Sequence, residues 1–344
     1  MELRVTQWEE QSTLHSPIPL PSPLARRPLL GSGHGWLVNA DEASDLHLLN
    51  PVTGAHVALP PITALHHVKM GTDEQGDPAY NVYENLPEFN YRKGKFEVDY
   101  EPTILEIDWA HEFMYHRVVL SASPSAGRAC IVLLLHMLHG EVSFARLGDD
   151  RWTLVARGEG TGLQWSAADG LFYLLGCDAS LCSLDLNGSS PVACKIINDV
   201  PKSGTPTKYN LVQTPAGDIL QVWRLRDYVD SLTPADIPPE YMEDEGDLDP
   251  CLELNTFHLQ VYKVDLHGLR VELIKSLPDY ALFLDFNGSM CLPVKDFPGL
   301  KPNCVYITND LMEYVNCRKN NRRQVVIYPW LNWPSPIWIR PSFV

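Results

Sequence analysis

Residues 282–310 read LFLDFNGSMCLPVKDFPGLKPNCVYITND, and this stretch decides the fold class. An apolar run over Ala281 to Phe286 stops at Asn287-Gly288, a strong turn dipeptide. A second short apolar run, Met290 to Val294, follows. A loop punctuated by Pro298, Gly299 and Pro302 then leads into a third run, Cys304 to Thr308. Strand, turn, strand, loop and strand in so short a span predict a local antiparallel sheet with no helix in it.

Working outward, three other segments share one pattern of alternating apolar strand, Asn or Asp, glycine and second strand. They are LHLLNPVTGAHVALP (Leu46 to Pro60), LCSLDLNGSSPVACKI (Leu181 to Ile196) and LQVYKVDLHGLRVELIKSL (Leu259 to Leu277). The acid or amide side chain bonds nearby backbone N–H groups, and glycine accepts positive φ. The markers Asn50, Asp185 and Asp265 stand 135 and 80 residues apart. Those spacings read as about three and two periods of 40 to 45 residues, the repeat of a four-stranded propeller blade. Blade-like units are readable at Gly35 to Ile62, His116 to Arg157, Leu163 to Ile197 and Lys208 to Leu277. The opening stretch joined by QVVIYPW (Gln324 to Trp330) supplies the fifth. Thr63 to Phe113 is blade-sized but poorly patterned, either a degenerate sixth blade or a long excursion.

The expected architecture is therefore all-β, a single beta-propeller of four-stranded antiparallel blades over residues 31–344. The unit from Gly35 to Ile62 shows only three strands, and IWIRPSF (Ile337 to Phe343) is the expected fourth, closing the ring from the C-terminus. Residues 1–30, with PIPLPSPLARRP, read as a flexible or extended proline-rich lead-in. Asp227 to Asn255 interrupts the fourth readable blade with a strongly acidic insertion.

Composition agrees with many short strands: 28 prolines and 22 glycines in 344 residues suit turns better than helices. The net charge of −16 argues against a nucleic-acid or anionic-membrane surface, both of which need clustered Lys and Arg. Eight cysteines without a CxxC pair read as free, largely buried thiols of a reducing compartment. The N-terminal residues lack a signal-peptide pattern, and the longest apolar run, Ala129 to Leu138, is too short to span a bilayer. An intracellular location, cytoplasmic or nuclear, is expected.

Among candidates for chemistry, Gly148-Asp149-Asp150-Arg151-Trp152 offers paired carboxylates but reads as a hairpin turn whose Trp152 packs between blades. His66, His67, His136 and His139 invite a metal. Residues three apart on a strand face opposite ways, however, and no third ligand stands at motif spacing, so no metal or other cofactor is expected. Gly158 to Gly162 lacks a following helix to hold a phosphate and reads as an inter-blade linker. The best functional candidate is the acidic insertion, with Glu243, Asp244, Glu245, Asp247 and Asp249 as a docking site for a basic partner. The basic cluster Arg318, Lys319, Arg322 and Arg323 reads as a hairpin tip or a weak nuclear-import patch.

Several of these segments carry a resemblance. GSGHGWLVNADEASDLHLLNPVTG (Gly31 to Gly54), YHRVVLSASPS (Tyr115 to Ser125) and FARLGDDRWT (Phe144 to Thr153) match in order. DGLFYLLG (Asp169 to Gly176), YNLVQTPAGDILQVWR (Tyr209 to Arg224) and the opening stretch continue the series. Together they resemble the plant family of F-box-associated, kelch-like propeller proteins, a domain of unknown function. The resemblance implies a protein–protein interaction module without catalytic residues, the client-recognising half of a ubiquitin ligase adaptor. An F-box docks on the Skp1 subunit of a cullin ligase, but the residues ahead of Gly31 show no amphipathic helical pattern. A Skp1–cullin partnership is thus expected only if an F-box is supplied elsewhere. The alternatives are a carbohydrate-active or carbohydrate-binding propeller, and a truncated copy without ligase function.

Overall fold

A computed structural model describes residues 4–7, 29–83, 87–90, 95–98, 101–136, 140–157, 160–188, 190–198, 200, 207–230, 252–284, 288–297, 299–307, 313–314 and 326–327. The described chain is all-β, built mainly of four-stranded sheets that are the blades of a beta-propeller. It divides into two compact units, one formed by residues 20–158 with 341–344 and the other by 1–19 with 159–340. The first strand, β1 (Arg4–Gln7), belongs to the second of these.

The unit of residues 20–158 opens with β2 (Leu29–Gly33), β3 (Trp36–Ala40), β4 (Leu46–Leu49) and β5 (His56–Ala58), paired in that order. This blade has its own four strands, because Leu29 to Gly33 is already sheet. The expected completion by Ile337 to Phe343 falls outside the described residues. Next come β6 (Val68–Thr72), β7 (Pro78–Val82), the hairpin β8 (Pro87–Asn90) and β9 (Lys95–Val98), and β10 (Thr103–Glu106). Strands β6, β7 and β10 form a three-stranded sheet, so the poorly patterned Thr63–Phe113 region is a reduced blade with a hairpin inserted. A one-turn helix, α1 (Ala110–Met114), leads into β11 (Tyr115–Leu120), β12 (Ile131–His136), β13 (Glu141–Arg146) and β14 (Thr153–Ala156).

Burial falls from the second to the fourth strand of the β11–β14 blade. Strand β12 is buried at every position, which is why it reads as a continuous apolar run, whereas β14 is mostly half-exposed. Leu133, Leu134 and Leu135 are each at most 2% exposed, and each such side chain contributes roughly 1.5–3 kcal/mol by burial. Strands β2 and β11 run against each other, and the approach is close at Gly31. A Cβ there would strike the Val118 carbonyl oxygen, so glycine is a packing requirement.

The other unit contains β15 (Gly160–Ser166), β16 (Leu171–Gly176), β17 (Leu181–Asp185) and β18 (Val192–Ile197), then β19 (Thr207–Gln213), β20 (Ile219–Asp230), β21 (Leu252–Asp265) and β22 (Arg270–Ile274). Gly160 and Gly162 lie inside β15, where a register shift separates them; they are strand residues and not the expected linker. Strands β20 and β21 pair from Leu220↔Lys263 out to Asp230↔Leu252, with a bulge between Leu225 and Arg226. Asp227 to Asp230 and Leu252 to Asn255 are therefore a two-stranded arm, and the expected insertion shrinks to residues 231–251. The 80 residues between Asp185 and Asp265 hold one enlarged blade, not two, because the arm and its insertion lengthen it.

The last blade holds β23 (Tyr280–Leu284), β24 (Ser289–Pro293) and β25 (Cys304–Ile307). Strands β23 and β24 form the expected antiparallel hairpin, but β25 lies on the other side of β23 and parallel to it. The reason is the loop, which returns the chain to the start of β23. Val294 N–H donates to the Asp279 carbonyl (3.0 Å) and Asn303 N–H to the Tyr280 carbonyl (3.1 Å), so β25 must set off in the same direction as β23. The fourth strand is β1, parallel to β25 with Arg4 opposite Cys304. The N-terminal segment thus supplies a strand where a lead-in is expected. Of the QVVIYPW segment, only β27 (Val326–Ile327) is described; it pairs with β26 (Glu313–Tyr314), outside this blade.

Candidate functional site

The acidic candidates Glu243, Asp244, Glu245, Asp247 and Asp249 lie outside the described residues, as do His139 and the basic cluster Arg318, Lys319, Arg322 and Arg323. What the structure adds is the support beneath the acidic segment, the β20–β21 arm. The other sequence candidates resolve into structure. Asp149 accepts from the Arg146 N–H (2.9 Å), and Gly148 has φ of +88°, so this is a tight turn. Trp152 is buried and its Nε1–H donates to the Pro60 carbonyl (3.0 Å). Asn50, Asp185 and Asp265 each accept backbone N–H groups in the turn between the third and fourth strands of a blade. In the last of these turns, positive φ falls on Leu269 (+52°), not on Gly268.

Cys130, Cys291 and Cys304 are buried, whereas Cys177 and Cys194 are exposed. Trp36, Tyr173, Trp223 and Tyr306 are core residues, while Trp165 and Tyr262 are only partly buried.

Two buried polar clusters lie in the unit of residues 20–158. In the first, Ser44 sits at φ +59° in the loop between β3 and β4. Its hydroxyl donates to the Ile107 carbonyl (2.6 Å) and accepts from the His111 N–H (3.0 Å), with His111 Nδ1 at 3.2 Å. Tyr115 donates to the Ser44 carbonyl (2.9 Å) and Tyr80 to the Ala43 carbonyl (2.7 Å). Ser44 and His111 have the composition of a nucleophile and base. Ser44 is fully buried and its proton is committed to a carbonyl, so the pair clamps the loop.

The second cluster joins His66, His67, His136 and Glu141. His66 and His67 occupy the turn after the one-turn 3₁₀ helix Ile62–Ala64, just before β6. Adjacent side chains would diverge on a strand; the turn lets both point the same way, with their Nδ1 atoms 3.3 Å apart. Glu141, the first residue of β13, pairs across the sheet with His136, the last residue of β12. The Glu141 Oε2 atom lies 3.4 Å from His66 Nε2 and 3.9 Å from His67 Nδ1. His136 stacks flat on His67, with centroids 5.2 Å apart, and holds Ser143 Oγ at 2.8 Å.

Burial keeps these imidazoles neutral. Desolvation, reinforced by His66 and Arg157, pushes His67 down to about 3. Desolvation also lowers His66, with Arg157 adding to it, and lowers His136 well below the usual histidine value. Neutral rings gain no ion-pair attraction from Glu141. Arg157 reaches Glu141 Oε1 at 3.9 Å from a side chain that is half in solvent. Both His67 Nε2 and His136 Nδ1 are buried without a hydrogen-bond partner. One nitrogen or oxygen from each of His66, His67 and Glu141 falls within 4.8 Å of the others, a donor set able to hold a metal ion. No sequence spacing could have grouped them, since Glu141 is remote in the chain and the turn geometry is invisible in the residue pattern.

No helix among the described residues is long and apolar enough to cross a membrane. No curated protein matches the sequence. Among solved structures, a Bacteroides thetaiotaomicron structural-genomics protein of unknown function is 9% identical, with 72% of this chain matched to 58% of that one at a TM-score of 0.27. The beta-propeller domain of Cps50 (Swd1) from Myceliophteria thermophila is 11% identical over 73% of each chain, with a TM-score of 0.31. A family model, KIB1-4 beta-propeller, matches residues 5–329, a span that takes in all of β1 but Arg4 as well as the readable blades. The chain belongs to the KIB1-4 beta-propeller family.

Proposed function

We propose that this propeller is a non-enzymatic protein-interaction module, the client-recognising part of an F-box-type ubiquitin ligase or of an F-box-less relative. The observation that carries the reading is the β20–β21 arm, a paired extension of one blade whose two strands lead directly into the acidic segment 231–251. Pairing the arm fixes where that segment leaves the blade, and its carboxylates would steer a basic client over about a Debye length, ~8 Å at physiological salt. The carboxylates of Asp185 and Asp265 are spent on turn N–H groups, which favours binding over acid–base work at those blade ends.

The test compares the full chain with a variant in which Glu243, Asp244, Glu245, Asp247 and Asp249 are all changed to Ser. Each is immobilised and challenged with an extract of the source tissue, with and without added Skp1. Clients retained at low salt, released by salt and lost in the variant support the reading, and Skp1 retention would add the ligase. Identical protein sets on both chains sink the acidic-segment reading.

A further inference from the structure

We infer that His66, His67 and Glu141 form a binding site for a divalent transition-metal ion of the zinc type. Zinc takes imidazole nitrogen and carboxylate oxygen at about 2.0–2.2 Å, so tetrahedral ligands stand about 3.3 Å from each other. The Nδ1 atoms of His66 and His67 are 3.3 Å apart, and His66 Nε2 is 3.4 Å from Glu141 Oε2. His66 turns a different nitrogen to each neighbour, so with one ligand atom per residue the separations reach 4.8 Å, and its ring, 29% exposed, must turn to commit one nitrogen to the ion. The third separation, 3.9 Å from His67 Nδ1 to Glu141, closes by a few tenths of an ångström around a bound ion.

Two independent features point to a ligand here. His67 is only 2% exposed, yet Nδ1, the nitrogen that faces His66 and Glu141, has partners only at 3.3 and 3.9 Å. An imidazole buried in that condition costs stability unless something else satisfies it. The surroundings also hold the His67 ring in place. His136 covers the face of His67 and is itself held by Ser143, which fixes the orientation of the ring that must ligate. His66 is partly open to solvent and gives an ion a way in. Three protein donors leave a fourth position for water or an exogenous ligand. The bound ion would tie the chain entering β6 to the start of β13. This site shares no residue with the acidic segment of the interaction reading, so either can fail without the other.

The experiment uses the full chain, freed of any histidine tag and stripped with chelator, titrated with Zn²⁺ by calorimetry and with Co²⁺ by visible absorption. The expected result is one equivalent of either ion, with cobalt d–d bands and no thiolate charge-transfer band. His66→Ala and Glu141→Gln should each weaken binding at least tenfold, and the distant His56→Ala should not. Circular dichroism confirms that the variants are folded; if Glu141→Gln is not, the surface substitution His66→Ala decides alone. Absence of stoichiometric uptake by the wild-type chain overturns the site. So does unchanged affinity in His66→Ala, or a thiolate band that places the ion on the exposed Cys177 or Cys194 instead.

Discussion

Around Ser44, polar atoms that leave water meet partners at 2.6 to 3.2 Å. The hydroxyl takes a carbonyl and an amide, while two tyrosines close on the backbone of the same loop. Around His67, in the same compact unit, the approaches are 3.3 to 3.9 Å, and two ring nitrogens have no partner. Both clusters are buried histidine-containing networks beside blade strands. The first has the distances of a finished structural clamp. The second has spacings too long for strong hydrogen bonds, and one donor atom from each of His66, His67 and Glu141 lies within 4.8 Å of the others. Burial and residue type do not separate structure from site here; the distances do.

Removing the hydroxyl from the first cluster should have the largest effect. Ser44→Ala strands the Ile107 carbonyl and the His111 amide in the core while leaving the backbone at φ +59°. Orphaning buried groups of this kind costs about 2–4 kcal/mol in all, measurable as a lower denaturant midpoint at unchanged slope. A loss below 1 kcal/mol would mean that water or a neighbour re-satisfies both groups, and the contrast between the clusters would weaken. Tyr115→Phe is the milder cut. It removes one donor from the Ser44 carbonyl and leaves the packing of a fully buried ring intact, for an expected loss of about 1–2 kcal/mol.

The blades could be read in the residue order because each is local. Alternating strands and the turn chemistry of Asn50, Asp185 and Asp265 recur at one place in the blade, and these side chains make the turn bonds their types imply. What stayed hidden depends on partners far away in the chain. Arg4 to Gln7 is too short to show a period, and nothing in it names Cys304 to Ile307 as its neighbour. The parallel placement of β25 follows from loop hydrogen bonds, not from apolar pattern. In the residue order Gly31 reads as the beginning of folded chain, while its constraint is the Val118 carbonyl on another strand. The His–Glu cluster fails to show for both reasons at once, a local turn that overrides strand alternation and a carboxylate on a distant strand.

The smallest expected effect discriminates best between the two clusters. His67→Leu replaces a poorly bonded buried imidazole with an apolar side chain of similar size, so in metal-free buffer the change should stay within about 1 kcal/mol and can be stabilising. Adding Zn²⁺ should then separate the two proteins. At a hundredfold excess over the dissociation constant, the wild-type chain gains roughly 2.7 kcal/mol by mass action, and the variant gains far less because it has lost one of three ligands. If metal-free His67→Leu instead falls as far as Ser44→Ala, the imidazole is already contributing as a structural bond. The long distances around it would then be ordinary core packing, and the contrast with Ser44 would be one of degree.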